Sequence, residues 1–161
     1  MLTWQEFTAV RPDLAEVGHN LLYQFGIGLA FLATVRKDGG PRLHPVCPLI
    51  HDGHLFVFVL GRSPKRYDLL RDGRYALHTF PPKDNDDEFY CTGNATPVAE
   101  LALRDSVAEQ AQHHVREDER LFELRLERAL HTTWEHPRQP NTRPIHTKWW
   151  IGESIESGSG A

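Results

Sequence analysis

Hydrophobic positions near the start recur at helical spacing. Leu14, Val17, Leu21 and Leu22 follow Pro12, a residue that a first helical turn tolerates. Thr3 and Glu6 fit a capping box at the head of this segment, and Gly26 and Gly28 end it. From Leu29 the pattern becomes that of strands. Leu29–Arg36 is apolar, Asp38-Gly39 reads as a hairpin turn, Arg42–Ile50 follows, and Asp52-Gly53 leads into Leu55–Leu60, the strongest strand signal in the chain. The expectation over Leu29–Leu60 is a three-stranded antiparallel meander. Pro45 and Pro48 lack backbone donors, so their strand needs an edge or a bulge.

Further along, Ser63 and Pro64 head a short helix as N-cap and first helical residue. Arg74–Phe80 and Glu88–Val98 are strands, the second with a bulge expected at Gly93. Leu101–His114 reads as a helix with Leu101, Val107, Ala108 and Ala111 on one side. Leu121–Leu126 fits either period, and the strand reading is preferred because Leu130–Trp134 continues it. Ile145–Ile151 is the last strand, and Tyr67, Tyr75 and Phe80 read as core. Residues 1–153 form one domain on this reading, with 154–161, rich in Gly and Ser, as a flexible tail. The fold class is mainly β with helices: an antiparallel, Greek-key-like barrel, closed because open edges would need separate protection.

Composition narrows the chemistry. With 161 residues there is room for one core, and 18 Lys+Arg against 22 Asp+Glu give a net charge of -4, which disfavours a nucleic-acid binder. Two cysteines make no disulfide framework and match no zinc spacing. No apolar run is long enough to span a membrane, and the start offers no secretory signal, so the expected location is the cytoplasm. The 10 histidines invite a metal reading, but His51-x-x-His54 lacks further ligands and adjacent His113 and His114 diverge on a helix; no metal site is expected. Dinucleotide, phosphate-loop and nucleophile-elbow motifs are missing.

One stretch does carry chemistry. Gly61-Arg62-Ser63-Pro64-Lys65-Arg66 joins the strongest strand to a helix N-terminus, where unpaired N–H groups, a hydroxyl and two or three cations would cradle a phosphate. The alternative is a capped helix with a solvated basic turn.

The order of the pieces adds a resemblance. Ala33–Val46, Asp52-Gly53 before an apolar strand, Ser63-x-Lys65, Leu69–His78 and Phe89–Ala95 together resemble the pyridoxamine-phosphate-oxidase-like FMN-binding split-barrel family, over about Leu29 to Val98. The resemblance implies a homodimer with FMN at the subunit interface and a small-molecule substrate. It implies that Leu43–Pro48 runs along the flavin ring, with Arg42, His44, Pro45, Val46 and Cys47 as contacts, often through backbone groups. Phe58 and Val59 would continue the ring and ribityl wall. Ser63 and Lys65, with Arg62 or Arg66, would hold the phosphate, and Glu88 falls where the oxidases carry a polar residue near the flavin. Of Trp149 and Trp150, alternation sends one outward to an interface or the flavin edge, Trp149 being the candidate contact; both as filling at a dimer seam is the other reading. The oxidases' Arg and Lys on the Leu43–Pro48 strand are replaced by Leu43 or Arg42 and by Pro48, and their C-terminal Arg/His motif is missing from Ile145–Ile151. Oxidation of pyridoxamine phosphate itself is therefore not expected. The expectation is a flavin-dependent oxidoreductase of unassigned reaction; the alternatives are a deazaflavin- or haem-binding relative and a non-catalytic flavin binder.

Overall fold

The computed structural model describes residues 1–152, so the expected tail at 154–161 lies outside the described residues. Two helices open the chain, α1 (Trp4–Val10) and α2 (Pro12–Leu22), where one segment was expected. Thr3 and Glu6 form the capping box on α1, and Pro12 at the first position of α2 sets the break. One sheet of eight antiparallel strands follows: β1 (Ala30–Val35), β2 (Pro41–Val46), β3 (Leu49–His51), β4 (His54–Leu60), β5 (Arg74–Thr79), β6 (Glu88–Pro97), β7 (Glu119–Glu135) and β8 (Arg143–Trp150). Between them lie α3 (Pro64–Arg71) and α4 (Leu101–Gln110).

The sheet order is β2-β1-β5-β6-β7-β4-β3, with β8 pairing β7 farther along, on the flank opposite β6. This corrects the expected meander, and the barrel is split, as the family resemblance implied, rather than closed as the turns alone suggested. Arg42–Ile50 is two strands, and β2 and β3 end up at opposite margins of the sheet although only Cys47 and Pro48 separate them. The chain crosses the mouth of the barrel at that corner. Among the described residues no ladder joins β2 to β3 or β4, so the barrel is split along this line. The prolines explain it: Pro41 and Pro45 lie on β2, which pairs only with β1, and an edge strand tolerates missing donors. Gly28 lets the corner approach, since a Cβ there would sit 1.8 Å from the Pro48 carbonyl oxygen.

Strand β7 unites the two expected pieces Leu121–Leu126 and Leu130–Trp134 in one 17-residue element that pairs with β4, β6 and β8 in turn. The register between β6 and β7 shifts between Thr92 and Gly93, the expected bulge. A Cβ at Gly93 would lie 1.7 Å from the Arg125 carbonyl oxygen, so the close strand approach requires glycine.

The inward faces of the strands build the main core, with Leu32, Val57, Leu77, Cys91, Phe122 and Leu126 almost without exposure. Helices α1 and α2 plug one side with Trp4, Phe7, Leu14 and Leu22. A second cluster lies on the other face of β4, where Leu49, Phe56, Phe58 and Leu121 meet Val107 of α4. α4 is shorter than expected and seats mainly Val107; Leu101 is 73% exposed. Tyr67, expected in the core, is exposed, whereas Tyr75 is buried. No helix among the described residues is long and apolar enough to cross a membrane.

Candidate functional site

The seam is where the chemistry gathers. β3 covers β4 only from His54 to Phe56, and β7 takes the other edge of β4, so Val57–Leu60 presents an unpaired edge toward the split. β2 presents its own free edge from the opposite side. At one end of the gap the chain turns at Gly61–Ser63 into α3, whose residues contact β1 and β4.

Ser63 is the N-cap of α3, but its hydroxyl makes no capping bond. The helix N-terminus is poor in free N–H groups, contrary to the expectation from spacing. Pro64 has none, Ser63 N–H donates to the Leu60 carbonyl at 2.9 Å, and Arg66 N–H donates to the Ser63 carbonyl at 3.0 Å. An anion at this turn would therefore be held by side chains. Lys65 is the strongest candidate: it is half-buried and makes no hydrogen bond or ion pair among the described residues. Burial lowers its pKa, opposed by the charges of Glu119 and Cys47. A cation held partly out of water, without a partner, gains from an incoming anion. Arg62 is exposed at the same turn.

His44 and Cys47 approach Lys65 from the β2 side. Burial lowers the His44 pKa, helped by the positive charges of Lys65 and Arg42, so the neutral imidazole is favoured. Burial and Glu119 raise the Cys47 thiol, against the pull of Lys65, so it is not an activated thiolate.

Arg42 is already committed. Its Nε donates to Asp68 Oδ2 at 2.7 Å, and the Thr34 hydroxyl donates to the same oxygen at 3.0 Å. Arg71 reaches the other carboxylate oxygen at 3.4 Å and also donates to the Val35 carbonyl. Burial alone would raise the Asp68 pKa, but the bonds from Arg42 and Thr34 outweigh it and hold the carboxyl below its usual range. This buried network ties α3 to β1 and β2, and so fixes the Ser63–Lys65 turn against the seam.

The structure thus brings His44 and Cys47, with Arg42 beside His44, toward Lys65, keeps Arg62 and Ser63 on the Lys65 turn, and separates the rest. Val46 and Val59 are buried in the main core, and Phe58 packs in the second cluster with Val107 of α4. Pro45 points outward from β2 and is exposed. Arg66 donates to the Gly61 carbonyl at 3.0 Å and lies over the Tyr67 ring. Glu88 begins β6, in register with Thr132 and three strands from β2 along the sheet. Trp149 is not an outward contact: it is 7% exposed and packs 5.0 Å from Phe7, while Trp150 is the exposed member of the pair. Asp68, Thr34 and Glu119 were missed. Asp68 had a signal, a carboxylate beside Leu69 and Leu70 in a short helix, but its partners are 26 and 34 residues away. Glu119 had none.

Among the described residues no group of three or more His, Cys, Asp or Glu side chains is placed to hold a metal ion. For a phosphate-bearing cofactor the donor set fits: an unengaged hydroxyl, an unpartnered half-buried ammonium and an exposed guanidinium on one turn.

An open antiparallel barrel with a cation-bearing seam defines a class, the split barrels. The chain belongs to the pyridoxamine 5'-phosphate oxidase family, whose model matches residues 25–133. Solved structures show the same fold at low identity. A haem-binding protein of Mycobacterium smegmatis superposes with a TM-score of 0.58 at 16% identity, over 79% of this chain and 55% of that one. This chain therefore spans about half the length of that protein. A candidate pyridoxamine 5'-phosphate oxidase of Listeria innocua gives 0.58 at 15% identity, covering 73% of this chain and 96% of that one. The haem storage protein HutZ of Vibrio cholerae gives 0.55 at 15% identity, covering 70% and 89%. No curated protein matches in sequence.

Proposed function

We propose that this chain binds FMN at the seam and acts, as a homodimer, as a flavin-dependent oxidoreductase on a small molecule. The observation that carries the proposal is Lys65, a half-buried cation without a partner beside the free Ser63 hydroxyl. Lys65, Ser63 and Arg62 hold the phosphate, and the free edges of β2 and β4 offer backbone groups to the ring. The flavin supplies hydride or electron transfer. His44, in its neutral form, is the side chain placed to hydrogen-bond a flavin or substrate oxygen.

The dimer has support in the outward face of β2, β1 and β5. Pro41, Leu43 and Pro45 continue through Ala33 and Val35 to Ala76, an apolar sheet face on which Leu43 is 62% exposed. A second copy would cover it.

The test is a titration of the purified full chain with FMN and, separately, with haemin. Quenching of flavin fluorescence with saturation near one FMN per chain supports the reading. A shifted Soret band with haemin and no effect on flavin would overturn it in favour of the function named for two of the structural neighbours.

A further inference from the structure

A cavity of about 270 Å³ opens at the Cys47-Pro48 corner, lined by none of the residues assigned to the phosphate. It lies between the end of α2, the Cys47-Pro48 corner and the end of α4. Cys47 is the shared wall: it lines this cavity and also feels the Lys65 charge across the seam. The volume is at the small end for a ligand pocket and suits a compact molecule.

Its lining is asymmetric in hydrogen-bonding capacity. His19, His51 and His113, the amides of Gln110 and Gln112, and Tyr23 all face it, and no carboxylate does. Asp52 approaches His51 at 3.3 Å, but its side chain is 84% exposed and outside the lining. The Tyr23 oxygen accepts the Ile50 N–H at 2.8 Å, which leaves the phenol proton free to donate. Burial raises the Tyr23 pKa, so that proton stays in place. His51 is held by Ser106 at 3.1 Å, whereas the ring nitrogens of His19 and His113 make no hydrogen bond among the described residues. Ile27, Pro48 and Leu49 supply the apolar walls.

We infer that this cavity is a binding site for a compact carboxylate with an apolar body, the anion received by Tyr23, His19 and His113 and the body by Ile27 and Pro48. The phenol O–H, the imidazoles and the amides can donate to a carboxylate, and no carboxylate in the lining repels it. Its position beside Cys47 makes this ligand the substrate class of the proposed oxidoreductase. The substrate assignment rests on that reading, while the binding does not.

The test uses benzoate as probe on the full chain, with and without FMN, followed by saturation-transfer NMR. Benzoate binds, and benzamide, its uncharged counterpart, binds about ten-fold more weakly. Tyr23→Phe and His113→Ala each weaken benzoate about five- to ten-fold, and circular dichroism checks that both variants remain folded. Absence of benzoate binding, equal affinity for benzamide, or indifference to both substitutions overturns the pocket. Benzoate binding in a chain that takes no FMN keeps the pocket and removes the oxidoreductase reading.

Discussion

The β6–β7 side of the barrel and the seam between β2 and β4 solve opposite problems with the same kind of strand. β6 and β7 pair from Glu88 through Pro97, bulged once at Gly93, and their inward residues Phe89, Cys91, Leu124 and Leu126 are buried. Most of the backbone there has a strand to meet, and the inward side chains are free to be apolar. Across the seam, two strand edges face each other without pairing, and the residues nearby are His44, Cys47, Ser63 and Lys65. Unpaired edges are ordinarily a liability. Here the proline-bearing β2 and the Asp68 network hold them apart, and the gap keeps polar groups partly dry. One side stores stability and the other stores binding capacity, so substitutions on the two sides should move different measurements.

The largest effect belongs to the paired side. Phe122 is fully buried, and Phe122→Ala should lower unfolding free energy by about 3–5 kcal/mol in urea titration. A loss below about 1 kcal/mol would mean that the paired side is not the stabilising one.

Asp68 links the two regions. Asp68→Ala strands Arg42 and should cost about 2–3 kcal/mol, with a matching loss of FMN affinity as α3 loosens from the seam. The pH dependence follows from its depressed pKa. The ionised network contributes stability above the ordinary carboxylate pKa of about 4, and loses it as pH falls from there through the lower folded value. The wild-type chain should therefore lose more stability than Asp68→Asn between about pH 4 and pH 2, measured by urea midpoints; parallel curves would contradict the assignment.

The smallest change separates capping from binding. A capping serine costs about 1 kcal/mol when replaced by alanine. The Ser63 hydroxyl caps nothing, so Ser63→Ala should shift stability by less than about 0.5 kcal/mol while weakening FMN about three- to ten-fold. A stability loss with unchanged FMN affinity would return Ser63 to a purely helical role.

The paired side was largely legible in the chain. The apolar run Leu55–Leu60, the alternation in Glu88–Val98, the two Asp-Gly turns and the Gly93 bulge are local signals, and each appears where its residues place it. The split was less so. Pro45 and Pro48 announce an interruption, but only the sheet order reveals that β2 and β3 stand at opposite margins. The same limit divides the site. Ser63 and Lys65 lie in one motif and were visible together, while Asp68, Thr34 and Arg42 meet only through folding. The side chains of Val46, Phe58, Val59 and Trp149 are buried in the core, which a strand's period does not reveal, since it tells which residues share a face and not whether that face meets the core.

The central claim is that Lys65 is the cation that anchors a phosphate at the seam. Flavin fluorescence titration of the wild-type chain and of Lys65→Ala tests it directly, with urea unfolding as the control for the fold. Loss of one charge-assisted contact, worth roughly 1.5–3 kcal/mol, should weaken FMN about ten- to a hundred-fold, with stability unchanged or slightly raised because an unpaired half-buried charge is removed. Equal FMN affinity in the two chains would contradict the account.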